Sequence, residues 1–150
     1  MIIGIDPGKK GGVAVLSEKK VELINTPEEP IGMANVISSA LNSAYIDNER
    51  LTTYIENVHA FPTDARSSAF KFGMNYGMWL GILGAYKIEV KKVSPFKWME
   101  PYKPLPKIKQ ERKAKLKEIA QELCPDIRVT LRTADAFLIA LYGKNNEDYR

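Results

Sequence analysis

A chain of 150 residues, 45% hydrophobic and 27% charged, has the composition of one soluble globular domain with a sizeable core. It holds no apolar run near the roughly 18–20 residues a membrane span needs, its opening apolar stretch is too short for a signal peptide, and its single cysteine, Cys124, excludes a disulfide framework or a cysteine zinc site, which fits a reducing cytoplasm. The net charge of +4 is unevenly spread: residues 87–117 hold 11 Lys/Arg against 3 Asp/Glu, whereas 1–86 hold 7 against 9 and 118–150 hold 4 against 6. A solvated face and a phosphate-binding surface are both open readings of such a run.

"MIIGID" and "GGVAVLS" read as adjacent strands across the glycine-rich turn "PGKKGG", and "KVELINTP" as a third strand reached through "SEKK". "IGMANVISSALNSAY" carries Ile31, Ala34, Ile37, Ala40, Leu41 and Ala44 at helical spacing. "LTTYIENV", β-branched and aromatic, is a fourth strand. A long helical pattern then runs from about Thr63 to Ala85, followed by "YKIEVKKVS" as the fifth strand. Three prolines make "EPYKPLP" a loop. "QERKAKLKEIAQEL" is a helix ended by Pro125, and "TADAFLIALYG" a last helix stopped at Gly143. This order predicts a single α/β domain over residues 1–150. Its mixed five-stranded sheet has a three-strand antiparallel meander on one side, parallel strands on the other, and flanking helices.

Three acids fall where that topology would gather them. Asp6 ends the first strand, Glu56 lies near the end of the fourth, and Asp135 sits in the first turn of the last helix. With strands one and four adjacent and parallel, the two strand-borne carboxylates emerge at one edge of the sheet, where a helix passing over can bring the third. Converging carboxylates repel unless a divalent cation compensates them, and an all-oxygen set selects a hard ion such as Mg²⁺ or Mn²⁺. Each acid alone has a plainer explanation. Asp6 can open the Pro-Gly turn through its side-chain oxygen, Glu56 can face solvent, and Asp135 gains ~0.3–1 kcal/mol from the helix dipole. Only their joint placement points to a site.

"GIDPG" in strand one, "ENV" in strand four, "FGMNYGMWLGILGA" along the next helix and "ADAFLIALYG" at the end resemble the RuvC-type Holliday-junction resolvases, most closely the short bacteriophage versions, within the RNase H-like superfamily. The resemblance covers nearly the whole chain in order. It implies an RNase H-like fold, Asp6, Glu56 and Asp135 as metal-binding catalytic acids, Mg²⁺ (with Mn²⁺ as substitute) as cofactor, and a homodimer that nicks a four-way DNA junction symmetrically. Two metal ions ~3.5–4 Å apart suit in-line attack on a phosphodiester, and the resemblance implies 5′-phosphate and 3′-hydroxyl products. The sequence departs from the family twice. Where a fourth acid or a histidine usually stands, three residues before the last aspartate, it has Arg132, with no substitute at Leu131 or Thr133. The second metal would then be completed by the scissile phosphate or by Asp126. Where a wedging phenylalanine can follow the strand-four glutamate, it has His59, with Phe61 two residues on; either is a candidate DNA contact.

On "QERKAKLKEIAQEL" the apolar face runs Leu116, Ile119, Ala120 and Leu123, with Lys113 on its inward edge and Arg112 and Lys115 pointing more outward. A lysine beside an acid cluster is a candidate phosphate or transition-state clamp, family resolvases place basic residues here, and snorkelling over the core is the plainer use. Lys91, Lys92, Lys97, Lys107, Lys109 and Arg112 are candidate phosphate contacts; Phe96 and Trp98 either stack on bases or belong to the core. Gly73, Gly77, Gly81 and Gly84 make a small-residue seam, costly in a helix unless another backbone approaches closely. It fits a dimer contact with Met74, Met78 and Trp79, or packing within the monomer.

The reading is a junction resolvase. A broader branched-DNA or flap endonuclease and a junction-binding protein without cleavage remain as alternatives. An actin- or hexokinase-like ATPase is set aside because the chain has no second such domain and no second glycine-rich phosphate loop.

Overall fold

Ile2, Ile3, Gly4 and Ile5 are all buried, because β1 (Ile2–Ile5) is the middle strand of a five-stranded sheet covered on both faces. The structure is a computed structural model and describes residues 1–57 and 65–147. The strand order is β3-β2-β1-β4-β5. β2 (Gly12–Leu16) and β3 (Val21–Asn25) complete an antiparallel meander with β1. β4 (Thr52–Glu56) and β5 (Glu89–Val93) run parallel to it. The expected mixed sheet is therefore the one formed.

Side chains alternate across β1 and β2, so each face collects its own core. Ile3, Ile5, Val13 and Val15 pack with Met33 and Ile37 of α1 (Pro30–Ile46) and with Trp79 and Leu83 of α2 (Arg66–Ala85). Ile2, Ala14 and Leu16 pack with Phe137, Leu138 and Ile139 of α5 (Ala134–Glu147) and with Leu116 and Ala120 of α4 (Lys109–Leu123). Among the described residues no helix is long and apolar enough to cross a membrane.

Several expectations need correcting. Gly143 does not stop the last helix; α5 continues to Glu147. The glycine is instead the place where the helix meets a ring, since a Cβ there would lie 2.5 Å from the Tyr54 ring. The long helix begins at Arg66, and Thr63 lies outside the described residues. A short helix, α3 (Pro95–Met99), precedes the proline-rich loop, whose first residues Glu100–Tyr102 form a single 3₁₀ turn. Pro95 opens α3 because its fixed φ suits a first helical position and its missing N–H is not needed there. On α1, Met33 rather than Ile31 is inside. On α4, Leu123 is largely exposed.

The glycine seam is not packed within the described monomer. A Cβ at Gly73, Gly77, Gly81 or Gly84 would meet nothing within 4 Å. Trp79, expected at a dimer contact, is 0% exposed because it lies on the opposite, inward face of α2 with Asn75 and Leu83. Met78 is half-buried against the same core. Met74 alone of the three is exposed, with Phe70 beside it.

One contact sets how α5 sits on the sheet. A Cβ on Gly4 would collide with the Ala136 carbonyl and lie 2.5 Å from the Ala140 amide nitrogen, so the helix backbone rests directly on β1. The neighbours that would have to move are backbone atoms. Gly4→Ala is expected to lower stability by about 3 kcal/mol or more, at the upper end of overpacking costs, read as a fall in the urea unfolding midpoint.

Candidate active site

β1 and β4 pair in register, Ile5 opposite Ile55, so Asp6 and Glu56 follow at the same edge of neighbouring parallel strands. The Asp6 amide donates to the Gly12 carbonyl at 3.0 Å, closing the β1–β2 hairpin. Asp6 Oδ1 accepts the Gly8 amide at 3.1 Å, the turn-opening role expected of an aspartate before Pro-Gly. Gly11 is pressed against the same carboxyl, where a Cβ would stand 2.7 Å from Cγ and 2.9 Å from Oδ2. Only glycine leaves room there. The buried Asn75 amide of α2 donates to the Pro7 carbonyl, tying this turn to the helix layer. Turn residue and site residue are thus one and the same aspartate.

Asp135 arrives from above. Because α5 rests on Gly4 through Ala136, the preceding residue stands over the end of β1 in the first helical turn. Lys113 of α4 places its Nζ 3.3 Å from Asp135 Oδ2. Glu56 Oε1 accepts the Trp98 indole N–H at 3.0 Å.

These groups act on one another as a single electrostatic unit. Burial and then the Asp135 charge push the Asp6 carboxyl above its usual range, against the Gly8 N–H, Lys113 and Lys109. Burial, then Asp6 and Asp135, push Glu56 up to about 7, against the Trp98 N–H and Lys113. Burial pulls the Lys113 ammonium down, but the Asp135, Asp6 and Glu56 charges and the bond to Asp135 outweigh it and its pKa is raised. Three acids facing one close lysine leave a surplus of negative charge in a poorly solvated place.

That surplus is what a divalent cation would neutralise, and the oxygen-only donors suit a hard one. Among the described residues the acids do not form a finished metal cage. Each acid meets one protein donor: the Gly8 amide for Asp6, the Trp98 indole for Glu56 and the Lys113 ammonium for Asp135. The chemistry of the set fits the group that the sequence implies.

The other candidates separate into free and occupied cations. Lys109 lies one turn before Lys113 on α4 and its charge reaches Asp6. Lys92, Lys97, Lys107 and Lys109 are exposed, Lys92 with its Nζ 5.7 Å from the centre of the Tyr76 ring. Arg112 is committed locally, its Nη1 donating to the Pro106 and Lys107 carbonyls at 3.3 and 3.0 Å, which fixes the loop before α4. Lys91 pairs with Glu147, stands 3.6 Å from Glu89 Oε1 and lies over the Tyr54 ring. Phe96 is exposed with Lys103 Nζ 4.0 Å over its ring, whereas Trp98 is core. His59 and Phe61 lie outside the described residues.

Arg132 is turned to backbone work. Its Nη2 donates to the Lys9 carbonyl at 3.2 Å and reaches the Thr26 carbonyl at 3.5 Å, stapling the β1–β2 turn and the end of β3 to the start of α5. Asp126 is exposed, and the group its charge acts on is the Cys124 thiol. It is not among the charges that act on Asp6 or Glu56. Sequence reasoning missed the Trp98–Glu56 and Asn75–Pro7 bonds. Asn75, Trp79 and Leu83 are the buried positions of α2, spaced four apart, so a lone polar residue in an inward stripe was the legible sign.

No protein-family model matches the sequence, nor does the sequence of any curated protein. Solved structures match over nearly its full length. A Thermus thermophilus RuvC in complex with Holliday junction substrate is similar at 20% identity and a TM-score of 0.60, covering 99% of this chain and 94% of that one. A second Thermus thermophilus RuvC structure gives 17%, 0.60, 99% and 95%. The yeast mitochondrial Holliday junction resolvase Ydc2 gives 16%, 0.44, 99% and 81%. The chain therefore has the RuvC-type, RNase H-like fold.

A carboxyl with a raised folded pKa holds its proton longer folded than unfolded, so its contribution to stability falls as pH rises between the two values. For Glu56 that window runs from 4.5 to about 7. In EDTA, the protein is expected to lose stability across this range. Glu56→Gln should remove much of the loss and be the more stable protein at pH 8, by about 2–3 kcal/mol in urea unfolding.

Proposed function

We propose that this protein is a divalent-metal-dependent endonuclease that resolves four-way DNA junctions by paired, symmetric phosphodiester hydrolysis, working as a homodimer. The observation that carries the reading is the coupled unit of Asp6, Glu56, Asp135 and Lys113 at one sheet edge of a RuvC-type fold. The Thermus thermophilus structure that holds a Holliday junction supports the choice of substrate.

When bound, Mg²⁺ or Mn²⁺ would activate a water and stabilise the leaving 3′ oxygen during in-line attack, leaving 5′-phosphate and 3′-hydroxyl ends. The chain's own residues set the stage for that. Asp6, Glu56 and Asp135 supply the hard oxygen donors, held by the hairpin, the indole and α5. Lys113, 3.3 Å from Asp135 Oδ2, would meet a phosphate oxygen and its growing charge beside the acids. Lys109, Lys107 and Lys97 are exposed to follow the DNA backbone, with Lys92 beside them over the Tyr76 ring. Lys91 and Arg112 hold structure first. The exposed seam of α2, with Phe70 and Met74, offers the close-packing face that a second copy requires.

Purified protein on a labelled synthetic four-way junction with Mg²⁺ is expected to give paired symmetric nicks on a denaturing gel. Asp6→Asn should lower the rate by at least 10³-fold while leaving junction binding in place, in line with losing a metal ligand. Equal rates on flaps and forks would instead favour a broader branched-DNA nuclease. Tight binding with no cutting by the wild type would favour a junction-binding protein, the outcome that Arg132 at the fourth-acid position makes worth testing.

Met74→Lys, placing a charge in the α2 seam, is expected to convert a dimer to a monomer in sedimentation without unfolding it. A wild type that sediments as a monomer at tens of micromolar would remove the dimer from this proposal.

A further inference from the structure

Trp98 is 1% exposed on α3, and its indole N–H donates to Glu56 Oε1 at 3.0 Å. The other tryptophan, Trp79, is as deeply buried, yet its Nε1 has no partner among the described residues. The contrast is informative, because an indole N–H gains from an acceptor wherever one is in reach. Trp98 has found its acceptor in a candidate metal ligand.

The route from strand to indole is short and fixed at each step. Glu56 lies opposite Val93 in the β4–β5 pairing, and the Asn57 amide donates to the Val93 carbonyl at 2.7 Å. Pro95 starts α3 directly afterwards, and the Lys97 and Trp98 amides close its first turn on the Ser94 carbonyl at 3.0 and 3.3 Å. Five residues beyond Val93, the indole returns to the carboxylate. Val93 and Trp98 share the same core cluster, so packing holds the ring where the hydrogen bond needs it.

A carboxylate offers two oxygens and about four lone-pair directions. A donor on one oxygen fixes the group's rotation and aims what remains. Such supporting donors typically matter ten- to a hundredfold in metal affinity, by about that order. We propose that Trp98 is a positioning residue whose indole N–H holds the Glu56 carboxylate aligned for divalent-cation binding. This rests on the reading of Glu56 as a metal ligand.

The test uses the full chain made with both tryptophans replaced by benzothienylalanine, in which sulfur replaces the N–H in a ring of nearly the same size. Among the described residues the indole N–H with a partner is that of Trp98, and the Glu56→Ala background separates its bond to Glu56 from any other effect of the change. Mn²⁺ affinity, measured by calorimetry without DNA, is expected to drop about tenfold. In a Glu56→Ala background the same replacement should leave Mn²⁺ affinity where Glu56→Ala alone put it, since the effect passes through Glu56. Trp98→Phe, read in the same two backgrounds, serves if the isostere does not fold. Wild-type affinity in the isostere, with Glu56→Ala weakened, overturns the positioning role and leaves the metal reading standing. An equal drop in both backgrounds means the ring acts through general packing and likewise overturns it. Mn²⁺ affinity untouched by Glu56→Ala overturns the metal reading and this inference together.

Discussion

Asp6, Glu56 and Asp135 repel one another at a place where water screens them poorly, and the surrounding structure is arranged around holding that charge. Burial is the first cause of the raised pKa of both Asp6 and Glu56, with a neighbouring carboxylate second in each. A fold gains nothing in stability from such a group. The amide of Gly8, the indole of Trp98 and the ammonium of Lys113 each take one acid, and together they moderate the repulsion without removing it. The proposed metal chemistry would draw on this residual electrostatic cost at one sheet edge.

The geometry that gathers the acids is made by small residues. Gly4 lets α5 lie on β1, Ala136 and Ala140 face it, and Asp135 is carried over the strand end as a consequence. Gly11 lets the hairpin fold back against the Asp6 carboxyl. Gly143 gives the Tyr54 ring its space further along the same helix. Backbone contact is stiffer than side-chain packing, so the position of Asp135 relative to Asp6 depends little on rotamers. The long side chains, Glu56 and Lys113, are the adjustable members and are the ones restrained by a partner at their tips.

The sheet was legible in the sequence because it rests on local patterns, whereas the meeting of the three acids followed only from the strand order that those patterns imply. Alternating β-branched strands, a Pro-Gly turn after Asp6 and an alanine-rich last helix are read without knowing what they touch. What was not legible depends on partners distant in the chain. Trp98 could be placed in the core or on a base but not against Glu56, since forty-two residues separate them and the contact runs through the β4–β5 register. The same holds for Gly143, whose helix-ending preference is overridden by the Tyr54 ring it accommodates. Lys91 read as one more member of a basic run, and only the packing of α5 shows its pairing with Glu147. Charge counting finds a basic segment; it does not tell a committed cation from a free one.

Arg132 stands where the resemblance to the resolvases would place a fourth acid, and the fold gives it other work. A fourth acid at that position would add a further negative charge to a cluster already short of cations. The guanidinium instead reaches away to the Lys9 and Thr26 carbonyls, so that α5, the β1–β2 turn and the end of β3 are held together beside Asp6. The guanidinium thus lends rigidity to the loop that follows Asp6. In the proposed nuclease, the first cation would be held by protein oxygens, while a second would depend more on the phosphate being cut. Metal occupancy would then be coupled to substrate binding, because the DNA brings part of its own coordination sphere. A site of that kind would stay incompletely coordinated until a phosphate oxygen arrives, which would tie hydrolysis to the presence of the bound DNA.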